Sequence, residues 1–340
     1  MSHEFESGMF YREAAWHKLG VVVDEWPGSW AEARKVAGLE WDVEAAPLQM
    51  AVYSGDRSNY TVGHVAGWNA IVRDDKKLIV PSSVGGYETS GEALLSIQPS
   101  TYKIITNAAF GELIEYIVGE VGDGWQYETL ISLAGGRHIV ALLRSRTPLN
   151  ISGDPSQNYT YLCMTSRHDG QGGLRGIPTN VRVVCRNTHH MAEAAAKAAG
   201  VGFTIRHTAN WEERTKAAAT AIQGALRDGE AWEKLATELI GIKLEPWMLD
   251  KSLERLFVER SDMSDRQLET VEKRRDQVRE ILQSPTCEHI AGTAYGLVQA
   301  VDEWCDHVRP AHNNETRTTR ALLQAQPLKT KAVAVARSLA

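Results

Sequence analysis

The middle of this chain concentrates arginine, the side chain best shaped to hold phosphate. Arg137, Arg144 and Arg146 fall in or just after one strand-like run. Arg167, His168 and Arg175 sit in a glycine-rich segment, and Arg182 and Arg186 on the run that follows. Residues 137–214 hold 10 Lys or Arg against 5 Asp or Glu, and Lys197 is the only lysine among them. A guanidinium presents its donors as a fixed planar fork that matches phosphate oxygens. The spacing of four between Arg182 and Arg186 puts both on one side of an ideal strand. Gly170, Gly172 and Gly173 in SRHDGQGGLR would let backbone N–H groups approach a phosphate as a nest does. Tyr159 and Tyr161 alternate with Leu162, so they are expected to face away from it and offer stacking surfaces to unpaired bases; Trp125 and Tyr127 are further candidates. The competing reading has the arginines on a solvated strand face paired with acidic residues and the tyrosines in a core.

Bond-breaking chemistry finds less support. His168, Asp169, His189, His190 and His207 are metal-ligand types, but adjacent His189 and His190 point in different directions on a helix, and no HExxH or CxxC accompanies them. Asp169 is the single carboxylate of the glycine-rich segment, whereas two-metal phosphoryl chemistry needs several. The same loop lacks the GK[ST] ending of a phosphate loop and leads into a strand-like run. Cys185 precedes His189 by four residues in an apolar setting that favours packing over a poised thiolate. No catalytic residue, metal or cofactor is therefore assigned. Cys163, Cys185, Cys287 and Cys305 are widely spaced and read as reduced thiols.

At 340 residues and 43% hydrophobic the composition is that of a globular protein. Its net charge of -6 is unevenly spread: residues 1–136 hold 9 basic against 19 acidic side chains, and residues 215–340 hold 18 against 19. A locally basic segment suffices for a nucleic-acid partner, while the acidic remainder excludes a protein coated in phosphate on every face. No run of eighteen apolar residues suggests a membrane span, and the acidic, aromatic N-terminus does not read as a signal peptide. The expectation is a soluble, cytoplasmic protein.

Strands must position these residues. The first forty residues read as aromatic and irregular, with one short helix from Trp30 to Ala37. Strand-like segments follow at Trp41–Tyr53, Tyr60–Arg73 and Leu78–Val80, and Asn107 is placed to cap a helix through Val118. Two apolar runs around Ala134-Gly135-Gly136 make the clearest hairpin. Tyr159–Thr165, Gly176–Cys185 and Phe203–His207 complete the strands, with an alanine-rich helix at Thr188–Ala199. From Asn210 onward the pattern is helical, including a capping box at Ser264 and Gln267 and a face of Leu297, Val301, Trp304 and Val308. Val271 and Val278 stand one heptad apart, which suits a short coiled-coil seam or an ordinary surface helix. The fold class expected is α+β: a twisted antiparallel sheet with backing helices, then a mainly helical C-terminal region. Its segments are 1–37, 38–209, 210–312 and a polar tail at 313–340.

Several segments carry a resemblance: AAWHKLG (Ala14–Gly20), GLEWDVEAAPL (Gly38–Leu48), TSRHDGQGGLRGIPTNVRVVCRNT (Thr165–Thr188), TIRHTANWEER (Thr204–Arg214) and GTAYGLVQAVDEWCDHVRP (Gly292–Pro310). Together they resemble the phage/plasmid-like proteins built on domain of unknown function 932. The order of strands and helices is also similar to that of phage single-strand annealing proteins. Those carry a pattern VGxxYxPxxNxxAF, of which Ser96–Phe110 (SIQPSTYKIITNAAF) retains Tyr102, Asn107 and Phe110. That second resemblance implies single-stranded or duplex DNA as partner and strand binding or annealing as activity. The bland alternative is a structural or protein-interaction module with a phage or host protein partner. A homo-oligomer, built through a sheet edge or the helices from Asn210 to Pro310, is expected in either case.

Overall fold

The computed structural model describes residues 5–12, 20–53, 60–76, 79–81, 87–89, 93–121, 124–182, 187–189, 203–208, 213, 229–312 and 327–340. For 79–81, 87–89, 121, 178–182 and 187–189 it describes the backbone alone. The first part is rich in strands: β1 (Phe5–Tyr11), β2 (Val21–Val23), α1 (Trp30–Val36), β3 (Val43–Tyr53), β4 (Tyr60–Arg73), β5 (Ile79–Pro81), β6 (Tyr87–Thr89) and β7 (Leu94–Pro99). Then come α2 (Asn107–Val121), β8 (Trp125–Leu133), β9 (His138–Leu149), β10 (Asn158–Arg167), β11 (Leu174–Arg182), β12 (Asn187–His189) and β13 (Phe203–Ile205). Helices make up the rest: α3 (229–240), α4 (Pro246–Leu256), α5 (Asp265–Leu282), α6 (Ala294–Glu303) and α7 (Pro327–Arg337). The α+β class stands. The helix read at Thr188–Ala199 is corrected at its start, where Thr188 and His189 pair with β11 as part of β12; residues 190–199, and 210–226 apart from Glu213, lie outside the described residues.

Among the described residues the main sheet has the order β12-β11-β10-β9-β8-β1-β2, with β13 also paired to β11. The expected hairpin is there as β8 and β9, turned by Ala134, Gly135 and Gly136 at positive φ. The sheet is mixed and not purely antiparallel, because β1 pairs antiparallel with β8 but parallel with β2. A second sheet, β3-β4-β7, is separate. The first forty residues are thus less irregular than their composition suggests. Ser7 and Gly8 break the apolar pattern of β1, and Gly8 is required there: a Cβ would stand 2.6 Å from Ile131 Cγ2 on β8.

Chain contacts define two units whose segments alternate along the sequence, since β9, β10 and β11 each give residues to both. The first is Met1–Arg144, Leu162–Ile177 and Gly202–Ile222; the second is Ser145–Tyr161, Pro178–Val201 and Gln223–Ala340.

In the first unit Met9, Trp30, Ile71, Phe110, Ile114, Leu130 and Ile139 share one core. Ser29 caps α1 by accepting from Glu32 N–H. Asn107 does not cap α2 as expected. The Asp42 carboxylate accepts from the backbone N–H of Asn107 at 2.8 Å, and the Asn107 side chain donates to Trp41 O at 3.1 Å. Helices α1 and α2 approach closely at Gly111, where a Cβ would lie 1.9 Å from Trp30 Cδ1. Gly111→Ala is therefore expected to cost about 1–3 kcal/mol by overpacking, read as a lower urea midpoint. A midpoint equal to wild type would contradict this packing.

In the second unit the Ser264–Gln267 capping box opens α5. Val271 and Val278 both pack into the unit's own core with Leu253, Leu297, Val301 and Trp304, so the heptad pair is spent internally. A π turn, Trp304–Val308, follows α6. It keeps Trp304 on the buried face with Leu297 and Val301. The final short helix expected near the end of the chain is α7.

Candidate nucleic-acid interface

The nominated residues have diverse fates. Arg137 spends its guanidinium on three backbone carbonyls, Nε to Leu95 O, Nη1 to Ala134 O and Nη2 to Leu94 O, all at 2.9–3.0 Å. It clamps β7 to the β8–β9 turn. Arg167 grips Asp169 through two parallel bonds, Nε to Oδ1 at 3.0 Å and Nη2 to Oδ2. His168 is buried at 1% exposure and meets Asn107 Oδ1 through Nε2 at 3.0 Å. Arg175 is half-buried, and Arg146 is exposed. The side chain of Arg182 and all of Arg186 lie outside the described residues.

The tyrosine expectation needs correcting: Tyr159 and Tyr161 are 8% and 4% exposed. β10 is buried at nine consecutive positions, so alternation along it exposes neither side. The tyrosines offer no open face to a base. Trp125 is half-buried and Tyr127 is in the core. The glycine loop is corrected likewise. A Cβ at Gly170 would stand 2.0 Å from Gln98 Nε2, and one at Gly173 would stand 2.1 Å from Ile205 O. Asp169 also accepts from Gln171 N–H at 3.0 Å. These glycines allow close packing, and the loop closes on its own carboxylate.

Of the nominated residues, Arg144 lies beside two aromatics of the first unit, Tyr11, which is buried at 6% exposure, and Trp26. At the end of β1 the Tyr11 ring stacks on Trp26 with centroids 3.7 Å apart. The Arg144 guanidinium lies 4.5 Å from the Trp26 centroid, and that of Arg12 lies 4.8 Å from the Tyr11 centroid. Arg144 Nε is 3.6 Å from Glu128 Oε2 on the neighbouring strand β8. Adjacent strands β9, β8 and β1 therefore set the cation, its carboxylate and the ring pair side by side. Arg12 is exposed and has φ +63, a left-handed conformation that few non-glycine residues adopt; its N–H donates to Val23 O at 2.7 Å. Trp26 is half-buried. Tyr11, Arg12 and Trp26 were not nominated from sequence; the available signal was the density of aromatic and basic types in FYR and around Trp26.

Other clusters of polar side chains among the described residues have different geometry. In the second unit Ser156 Oγ and Asp154 Oδ1 both approach His289 Nε2, at 3.2 and 3.4 Å. A nucleophilic triad needs its serine and its orienting carboxylate on different ring nitrogens, so this is not that arrangement. Cys163, Cys287 and Cys305 are buried and form no disulfide among the described residues, and burial pushes the thiols of Cys163 and Cys305 up to about 12. Cys185 is outside the described residues. Among the described residues no group of three His, Cys, Asp or Glu side chains is disposed to hold a metal, and no helix is long and apolar enough to cross a membrane.

The model of one protein family, domain of unknown function (DUF932), matches residues 94–326. The chain belongs to this family. The DUF932 segment begins with β7 and includes Arg144 and Glu128, while Tyr11, Arg12 and Trp26 precede it. It ends at the residue before α7. No curated protein and no solved structure matches the chain.

Proposed function

We propose that the protein binds single-stranded nucleic acid in phage or plasmid DNA metabolism, holding or annealing strands without breaking a bond. One observation carries the reading: exposed Arg12 and half-buried Arg144 lie against half-buried Trp26 and the Tyr11 ring that backs it, Tyr11 itself being buried. An unpaired strand asks for charge and flat π surface at one place. Arg12 offers its exposed fork to a phosphate, and the Trp26–Arg144 pair offers a plane to a base. Every base has such a face, so sequence preference is weak, and a duplex, with its bases already stacked, binds less tightly. Asp24 and Glu25, both exposed, limit the positive field beside Trp26. A single phosphate contact, from Arg12, implies a shallow salt dependence, a slope of about −0.7 on logarithmic axes.

Fluorescence anisotropy with labelled single-stranded and duplex oligonucleotides at two salt concentrations tests this. Tighter single-strand binding with that slope is expected; no binding at the lower salt sinks the reading. Charge reversal at Arg146, Arg182 and Arg186 tests the remaining arginines in the same assay.

A second reading, a structural or protein-interaction module, is favoured by the exposed apolar side chains of β3 and β4, which give a polyanion nothing to hold.

A further inference from the structure

The β3–β4 hairpin changes character at Pro47. Up to there Val43↔Arg73 through Pro47↔Asn69 run in register, and β7 pairs with β4 from Trp68 to Val72. The register then jumps to Gln49↔His64, leaving Leu48 opposite four residues of β4, with Gly67 at φ +78 in the bulge. Beyond the bulge, Gln49–Tyr53 and Tyr60–His64 are paired only to each other among the described residues.

This two-stranded arm is apolar on both sides. The pairs Met50↔Gly63 and Val52↔Thr61 share one face, and Ala51↔Val62 and Tyr53↔Tyr60 share the other. Met50 is 54% exposed, Val52 51%, Tyr53 43% and Val62 54%. No Asp, Glu, Lys or Arg occurs from Ala45 to Tyr53 or from Tyr60 to Val72; His64 is the one titratable exception besides the tyrosines. A two-stranded hairpin is marginal in water by itself, whereas three or more strands with an apolar face are stable. Charged side chains that normally guard an open strand edge are missing here.

We infer that the arm is a strand-addition surface whose occupant is the same arm of a second copy. Charge selects that occupant. Residues 1–136 carry 19 acidic against 9 basic side chains, so two copies repel one another over most of this part of the chain. The two strands of the arm are a stretch of it where they meet without charge, the one acidic and one basic side chain of the joining segment, Asp56 and Arg57, cancelling in sum, and an acidic or basic partner gains nothing along the strands. Pairing β3 edge to β3 edge about a two-fold axis uses one surface twice. It turns two marginal hairpins into one four-stranded sheet, above the three-strand requirement. The nucleic-acid reading is independent of this inference.

Sedimentation equilibrium of the full chain across a concentration series tests it. The expected mass is at least twice 37.6 kDa at the upper end. The double variant Met50→Lys/Val52→Lys is expected to weaken association roughly tenfold or more, because two-fold pairing of the β3 edges would set like charges side by side on neighbouring strands. Both positions are over half exposed, so an unchanged melting temperature is expected to show that the variant folds. Val62→Glu, on the opposite face, provides a second charged variant. A wild-type mass of 37.6 kDa at every concentration, or an oligomer that folded forms of both variants leave intact, overturns the inference.

Discussion

Lys329→Ala is expected to lower stability by about 3–5 kcal/mol, the usual cost of removing one partner from a buried ion pair. Helix α7 brings Lys329 Nζ to 2.7 Å from Asp306 Oδ2, with the two side chains 1% and 0% exposed. Asp306 sits in the π turn after α6, and Asp302, also fully buried, stands one helical turn before it. Burial alone would lower the Lys329 pKa; the Asp306 and Asp302 carboxylates outweigh it and hold the ammonium above its usual range. Without that ammonium the carboxylates face a low-dielectric interior with less compensation. The double variant Lys329→Met/Asp306→Leu removes both charges and is expected to recover most of the loss. Urea unfolding of the two variants decides the matter. A loss below about 1 kcal/mol for the single variant would place the pair among surface ion pairs in its worth.

The second large effect is acid destabilisation, centred on three buried histidines of the first unit. Burial lowers His138 to about 4 and His168 to about 3. It also lowers His207, against the opposing pull of the Lys103 carbonyl on Nδ1 at 3.0 Å. The Asn107 amide is oriented by its bond to Trp41 O, so its Oδ1 accepts from a neutral His168 Nε2–H. In the unfolded chain these rings take up protons near pH 6.5. Between 6.5 and the native values the unfolded state holds more protons, so stability falls as pH falls through that window. Each of His138 and His168 contributes roughly 3 kcal/mol of loss by pH 4. The urea midpoint is expected to drop steeply between about pH 7 and 4.5, and His168→Gln to flatten that slope. A flat profile over this window would mean that these rings are accessible to protons in the folded protein.

Much of the scaffold was readable where a local signal has one physical outcome. The glycine turn between β8 and β9, the Ser264–Gln267 box and the Leu297–Val301–Trp304 face are such cases. β1 was not readable, because Gly8 answers to the approach of Ile131 from a strand over a hundred residues away. The arginine cluster was visible as composition, but what it faces was not. Three backbone carbonyls claim Arg137, and the loop's own Asp169 claims Arg167. Tyr159 and Tyr161 misled because period-two alternation marks a solvent face only when a strand is covered on one side. Tyr11, Arg12 and Trp26 escaped because the parallel β1–β2 pairing that precedes Trp26 is a long-range feature no local pattern announces.

The central claim, that an arginine-flanked aromatic pair holds an unpaired strand, is tested most directly by titrating wild type and Arg12→Glu with one labelled single-stranded oligonucleotide at low salt. Arg12 is exposed, so the substitution leaves the fold in place, and a thermal melt verifies this. The expected result is binding about tenfold weaker for the variant, by the same factor for every sequence tried, with a shallower salt slope. Arg144→Glu is expected to act in the same direction through loss of its contact with Trp26. Wild-type affinity in a folded Arg12→Glu protein would contradict the account.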